Sequence, residues 1–104
     1  MTIGNEVISK PLYRVLRKMT HENRVDVALA IAVKDWIRLR IKEVEGERIG
    51  FEAKYGMTFD QFKVKFAGEE IPNQYSYEVE RDYFDWEAAV TNEASLQEMS
   101  EQLL

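Results

Sequence analysis

Three carboxylates in the last third of the chain have a spacing that could gather a divalent cation. Glu78, Asp82 and Asp85 are separated by four and then three residues, so on a helix they share one face. Carboxylate oxygens are the ligands that calcium and magnesium prefer. A solvated acidic face is the commoner meaning of such a pattern and is favoured here. We therefore predict no metal site and no cofactor.

Residues suited to catalysis are scarce. His21 is the only histidine, and it lies beside Glu22 at a predicted helix start, where an exposed histidine is usually not catalytic. The chain has no Ser–His–Asp arrangement, no glycine-rich phosphate loop and no cysteine. Disulfides and thiolate metal sites are thereby excluded. We expect no catalytic residue and no enzymatic activity, and we expect a cytoplasmic protein.

A cationic ridge is predicted in the middle of the chain. Lys34, Arg38 and Lys42 are each four residues apart, so a helix would align them. Such a ridge could contact the phosphates of DNA. The alternative is an ordinary exposed helix face, with Glu43 and Glu45 close to the cations. DNA is therefore a candidate partner only.

Residues 77–90, YEVERDYFDWEAAV, combine large aromatic side chains with five carboxylates and a single cation, Arg81. Tyrosine and tryptophan are favoured anchors of protein interfaces, and carboxylates steer a surface towards a basic partner. This pattern predicts a partner-binding helix whose main anchor is Trp86. The alternative is that its aromatic residues fold back onto Trp36, Phe51, Phe59 and Phe62. The predicted partner-binding residues are Tyr77, Glu80, Asp82, Tyr83, Phe84 and Trp86.

Composition and charge indicate one folded domain with two different ends. The chain has 104 residues, of which 45% are hydrophobic and 32% charged, as in ordinary folded proteins. Residues 1–48 carry a net charge of +3 and residues 49–104 a net charge of −8. The longest nearly apolar run, at 25–33, is far shorter than the ~20 residues of a membrane span. The acidic part should attract a basic protein.

The N-terminal residues leave two interpretations open. Residues 1–10 look irregular, and Pro11 suits the first turn of a helix. Residues 11–19 would then place Leu12, Val15, Leu16 and Met19 on one helical face, but the same residues could form a strand. Thr20 is predicted to cap the helix that follows.

A long helix is predicted from about residue 22 to residue 55, a stretch without proline. Its apolar residues recur every three or four positions, which indicates a buried face, and a second apolar stripe containing Trp36 and Leu39 lies beside it. Two short helices of one chain could not cover so wide a face, so we predict a homodimer. Gly46 and Gly50 predict a kink or break. The predicted dimer interface is Val33, Ile37, Ile41 and Val44.

The remaining elements complete an all-α fold. Gly56 is a helix stop, and Thr58 with Gln61 matches a capping box for a short aromatic helix ending near Gly68. The last helix is predicted from about residue 75, with one apolar stripe at Val79, Tyr83, Trp86 and Val90. The chain is thus predicted to be a single helical domain, residues 1–104. Residues 1–56 would serve dimerisation and face DNA, and residues 57–104 would bind a partner.

Two motifs resemble a known family. KYGMTFDQF at 54–62 and YEVERDYFDWEA at 77–88 resemble segments of small prokaryotic proteins that are usually encoded beside a small basic toxin-like protein. The resemblance covers roughly residues 25–90, and its motifs are structural and carry no chemistry. It implies the antitoxin half of a type II toxin–antitoxin pair.

The predicted function is therefore binding. The resemblance implies an antitoxin-like protein that neutralises a basic toxin, and the wide apolar face of the long helix adds a homodimer. Repression of its own operon is a further function that would follow if the cationic ridge binds DNA. The alternative is a structural or adaptor homodimer of helices, a coiled-coil type of protein with no toxin partner. Neither interpretation includes a membrane.

Overall fold

The computed structural model describes residues 2–3 and 6–103. Four helices dominate this part of the chain: α1, Lys10–Thr20; α2, Val25–Tyr55; α3, Phe59–Ala67; and α4, Tyr77–Gln102. They are preceded by a short antiparallel pair of strands, β1, Thr2–Ile3, and β2, Glu6–Val7. The predicted all-α class is confirmed. The residues expected to be irregular contain this small ribbon, in which Thr2 lies opposite Val7.

Two compact units make up the chain. The first runs to Leu39 and includes the end of α4 from Met99, and the second is Arg40–Glu98. Both boundaries therefore fall inside long helices. Neither coincides with residue 56, the predicted boundary between the part for dimerisation and DNA contact and the part for partner binding.

In the first unit, residues 11–19 form part of the helix α1 and not the alternative strand, and both ends of this helix are capped. The Ser9 hydroxyl accepts a hydrogen bond from the Leu12 amide, and Pro11 lies in the first turn of α1. The helix ends at His21, whose left-handed backbone lets its amide bond the Arg17 carbonyl at 2.8 Å. The prediction for Thr20 is wrong, because it ends α1 and its hydroxyl donates to the Leu16 carbonyl.

The interior of the first unit is small. Its buried apolar residues are Leu16, Val25, Ala28 and Ile37. Its surface, by contrast, carries six large apolar side chains of α1 and α2 that are exposed. These residues, named here the first-unit apolar surface, are Leu12, Val15, Met19, Val33, Trp36 and Leu39.

In the second unit, local signals define the helix ends as predicted. Gly56 follows α2 with a φ of +66°, a conformation that favours glycine, and its amide bonds the Glu52 carbonyl. The reciprocal hydrogen bonds of Thr58 and Gln61 cap α3. The predicted break at Gly46 and Gly50 does not occur, since α2 continues through both residues.

The core of the second unit is aromatic. Trp86 and Phe62 are completely buried, and Phe59, Ile71 and Val79 are buried around them. The loop between α3 and α4 closes over this core by means of the buried Gln74 side chain. Its amide oxygen accepts from the Ile71 amide, and its amide nitrogen donates to the Phe66 carbonyl at 3.0 Å.

Candidate functional site

The carboxylates that could have gathered a metal are instead bound to a cation of the chain. The Lys54 ammonium donates to Asp82 at 2.6 Å and to Glu78 at 2.8 Å. Asp85 is paired with Arg81 at 3.6 Å. Among the described residues no group of His, Cys, Asp or Glu side chains could hold a metal ion. The Lys54 ammonium therefore lies where the carboxylates would have held a cation.

Asp82 is the centre of this cluster. The Tyr55 hydroxyl also donates to it, with an O–O distance of 2.5 Å. Burial raises the pKa of Asp82, but the hydrogen bonds from Lys54 and Tyr55 outweigh burial, and the net pKa is lowered. Burial and the bond to Asp82 raise the pKa of Tyr55 to about 12. Asp82 thus serves as an internal ion-pair partner, which corrects its predicted role as a partner-binding residue.

Trp86 is not an exposed anchor, so this part of the partner-binding prediction is wrong. Its exposed fraction is 0%, and its indole contacts the rings of Phe51, Tyr55, Phe59 and Phe62 at centroid distances of 5.0–5.7 Å. The helical stripe that begins at Val79 points into the second unit. The predicted alternative, in which aromatic residues fold back onto Phe51, Phe59 and Phe62, holds for Trp86. Its fourth member, Trp36, is instead 59% exposed.

The aromatic residues of α4 divide between core and surface. Tyr83 is half-buried and contacts Phe59, Phe62 and Phe66. Tyr77 and Phe84 are 77% and 67% exposed. Two helical turns separate them, which places both on one face of α4. Part of the predicted surface, Tyr77 and Phe84, is therefore available for contact.

Two carboxylates accompany these exposed aromatic residues. Glu80 and Glu87 are exposed on α4, and within the described part of the chain neither side chain has a hydrogen bond or an ion pair. They differ in this respect from the paired Glu78, Asp82 and Asp85. Tyr77, Glu80, Phe84 and Glu87 are named here the α4 surface.

A groove adjoins the α4 surface and was not predicted from the sequence. It has a volume of about 300 Å³ and is lined by Phe66, Glu80, Tyr83 and Phe84. Phe66 lies near the end of α3. Its contact with Tyr83, at a centroid distance of 4.9 Å, depends on how α3 packs on α4, which no local pattern reveals.

The predicted dimer interface is wrong at two of its four positions. Ile37 is 4% exposed and Val44 0% exposed within the single chain, so neither side chain is available to a second copy. Ile41 is half-buried, whereas Val33 is exposed. The apolar periodicity identified a buried face, but the chain itself covers much of that face.

The predicted cationic ridge is exposed at every position. Lys34 and Arg38 lie on α2 in the first unit, and Lys42 lies on α2 in the second. Arg38 contacts Asp35 at 3.4 Å, and both side chains of this pair are largely exposed. Such an exposed pair contributes little to stability. All three cations are therefore accessible to an anion.

A long-range ion pair of Arg48 in the second unit was not predicted. Arg48 donates to both carboxylate oxygens of Glu93 at 3.1 Å and to Glu52 at 2.7 Å. The hydrogen bond to Glu52, then that to Glu93, raises the pKa of Arg48. The sequence does contain a signal for this pair. Arg48 takes the place of an apolar residue in the stripe of α2, between Val44 and Phe51, and its side chain is half-buried. This pair connects α2 to α4 and leaves the α4 surface free.

Comparison of the chain with protein-family models, with curated proteins and with solved structures finds no match. None of the described helices is both long and apolar enough to cross a membrane.

Proposed function

We propose that the protein is an antitoxin-like binding protein whose α4 surface holds a small basic toxin encoded beside it. The observation that carries this proposal is the exposure of Phe84 next to the unpaired carboxylate of Glu80. Exposed large aromatic residues with an acidic rim are suited to a protein interface. The net charge of −8 over residues 49–104 favours a basic partner.

The proposed neutralisation acts by occlusion. The described residues lack a group that could hold a metal, and the cluster around Asp82 is occupied by Lys54 and Tyr55. The α4 surface offers contact area and charge, and a toxin that binds it would lose access to its own target. The carboxylates of Glu80 and Glu87 would accelerate association with a basic surface, especially at low salt.

Operator DNA is the second partner in this proposal. Lys34, Arg38 and Lys42 are exposed and would contact phosphates. Homodimerisation is assigned to the first-unit apolar surface, because Ile37 and Val44 are covered within the chain. A dimer would present two copies of the cations to DNA, as binding to a two-fold operator requires.

The proposal is tested by co-expression with the basic protein encoded beside this chain, followed by affinity purification. We expect a stable complex. Phe84→Ala should weaken it by about 2 kcal/mol, or about thirtyfold in Kd. The matched control is Val64→Ala, which removes an exposed apolar side chain of α3 outside both named surfaces and should leave the complex unchanged. Failure to form any complex would contradict the proposal.

The second candidate function is a structural or adaptor protein that binds only its own copies. The first-unit apolar surface favours it, because the exposed Leu12, Val15 and Met19 share one face of α1, and an exposed apolar face usually marks an interaction site. This candidate predicts self-association without a basic partner. It is supported if the co-expressed protein does not bind and the chain alone sediments as a dimer.

A further inference from the structure

The groove beside the α4 surface has walls of aromatic rings set at steep angles. The Tyr83 ring lies 4.9 Å from that of Phe66 at 55°, and 6.1 Å from that of Phe84 at 73°. Tyr83 is held in place from behind by Phe59 and Phe62. The inner wall is thus fixed by the core, while the outer wall, Phe84, is open to solvent.

One carboxylate lines this groove. Glu80 lies one helical turn before Phe84, so both side chains emerge on the same side of α4. No cation of the described chain neutralises Glu80, since Arg81, its neighbour, is paired with Asp85. The groove therefore combines aromatic rings, whose faces are the negative part of their quadrupole, with a full negative charge.

The residues that line the groove determine which kind of side chain it can bind. An anion would be repelled by Glu80. A purely apolar side chain would cover the carboxylate without giving it a partner, which is unfavourable. A cation on an aliphatic stem meets both requirements, because the stem packs on the rings while the charge interacts with the ring faces and the carboxylate.

We infer that the groove lined by Phe66, Glu80, Tyr83 and Phe84 binds the side chain of an arginine from a basic partner protein. Arginine is preferred to lysine because its planar, weakly hydrated guanidinium stacks on an aromatic face and can bond a carboxylate through two N–H groups at once. The inference rests on the proposed function, to which it adds the residue type recognised.

The test uses two small probes and the whole chain. N-acetyl-arginine methylamide is titrated while the ring resonances of Phe66, Tyr83 and Phe84 are followed by NMR. The matched probe, N-acetyl-citrulline methylamide, has nearly the same shape without the charge. We expect saturable shifts at these rings with the arginine probe, and at least about tenfold weaker binding of the citrulline probe.

Two variants locate the contact. Glu80→Gln should weaken the arginine probe by about tenfold, and Phe84→Ala should weaken it similarly. The matched control, Glu87→Gln, removes one charge two turns further along the same helix, outside the groove, and should have little effect. Equal binding of the two probes, or equal losses in Glu80→Gln and Glu87→Gln, would overturn the inference.

The experiments can contradict this inference and the proposed function separately. If a complex with the basic protein forms and the arginine probe does not bind the groove, the proposed function stands and the inference is wrong. If the probe binds as expected but no basic protein binds, the groove recognises cations and the antitoxin-like function is wrong.

Discussion

The Tyr55 hydroxyl donates a hydrogen bond to the Asp82 carboxylate at 2.5 Å. This contact joins the last residue of α2 to the second turn of α4, and Lys54 binds the same carboxylate at 2.6 Å. The Lys54–Tyr55 pair and the acidic start of α4 lie in the two sequence motifs KYGMTFDQF and YEVERDYFDWEA. Their role within the described structure is to hold the second unit together.

We predict that Asp82→Asn makes the free energy of unfolding depend less on pH in the acid range. The pKa of Asp82 is lowered from its ordinary value of 3.8. Its contribution is therefore fully present above about pH 4 and is lost as the pH falls through the lower, folded-state pKa. Asparagine lacks this titration and bonds Lys54 and Tyr55 less strongly. The variant should lose about 1–3 kcal/mol of unfolding free energy at pH 7 and show a shallower acid slope.

Urea unfolding at pH 7 and at several values below pH 4 checks this prediction. The matched control is Asp85→Asn, which breaks the exposed pair with Arg81 and should change stability by less than about 1 kcal/mol. Parallel acid slopes for the wild type and Asp82→Asn would show that Asp82 does not contribute as argued.

A second prediction separates the core from the α4 surface. Trp86→Ala should lower the free energy of unfolding by about 3–5 kcal/mol, because the indole is completely buried against four aromatic rings. Phe84→Ala, two residues away and 67% exposed, should change it by no more than about 0.5 kcal/mol. Thermal and urea unfolding of both variants, without any partner, measure the difference. Similar losses would mean that burial does not distinguish these two positions.

The indole nitrogen of Trp86 refines this comparison. It is buried and finds no hydrogen-bond partner among the described residues, and such a group is costly to leave unpaired. Trp86→Phe removes this N–H and part of the ring volume together, so the two effects oppose one another. We expect Trp86→Phe to lose well under half of what Trp86→Ala loses.

Local signals explain why the helix ends were predictable. The Thr58–Gln61 capping box and the stop at Gly56 involve residues within a few positions of each other, so sequence spacing contains the whole interaction. The exception was Thr20, whose hydroxyl had a carbonyl available inside α1. Gly46 and Gly50 do not break the helix as one prediction had it, because the intrinsic cost of a helical glycine is small and α2 continues through both.

The limits of prediction appear at Trp86, Ile37 and Val44. Helical periodicity placed each of them correctly on a buried face, but it does not say which chain covers that face. All three were therefore assigned to contacts with another chain, and all three are covered within their own. The groove at Phe66 and the ion pair of Arg48 with Glu93 also depend on helix packing. Only the folded chain reveals them.

A third prediction concerns DNA. If Lys34, Arg38 and Lys42 contact phosphates, replacing all three by glutamine should abolish a gel shift on promoter DNA of the protein's own gene. Binding by the wild type should also weaken steeply as salt is added, because counterions are released. The control variant replaces Lys63 and Lys65 of α3 by glutamine and should keep the shift. A shift that survives the triple replacement would place the contact elsewhere.

The last prediction distinguishes burial within the chain from burial between copies, using adjacent residues of α2. Ile37 is 4% exposed and Trp36 is 59% exposed. Ile37→Glu would place an unpaired charge in the first unit and should cost about 3–5 kcal/mol. Trp36→Glu adds the same charge at the surface, so the fold should remain stable. If the first-unit apolar surface joins two copies, Trp36→Glu should also shift the chain from dimer to monomer in sedimentation.

Circular dichroism with urea unfolding, and sedimentation velocity over a range of concentrations, measure the two effects separately. The expected pattern is an unfolded or strongly destabilised Ile37→Glu variant and a folded, monomeric Trp36→Glu variant. A wild type that sediments as a monomer at all concentrations would contradict the proposed homodimer. A folded Ile37→Glu variant that is merely dissociated would show that Ile37 lies between copies, because only an interface residue can lose its partner without loss of the fold.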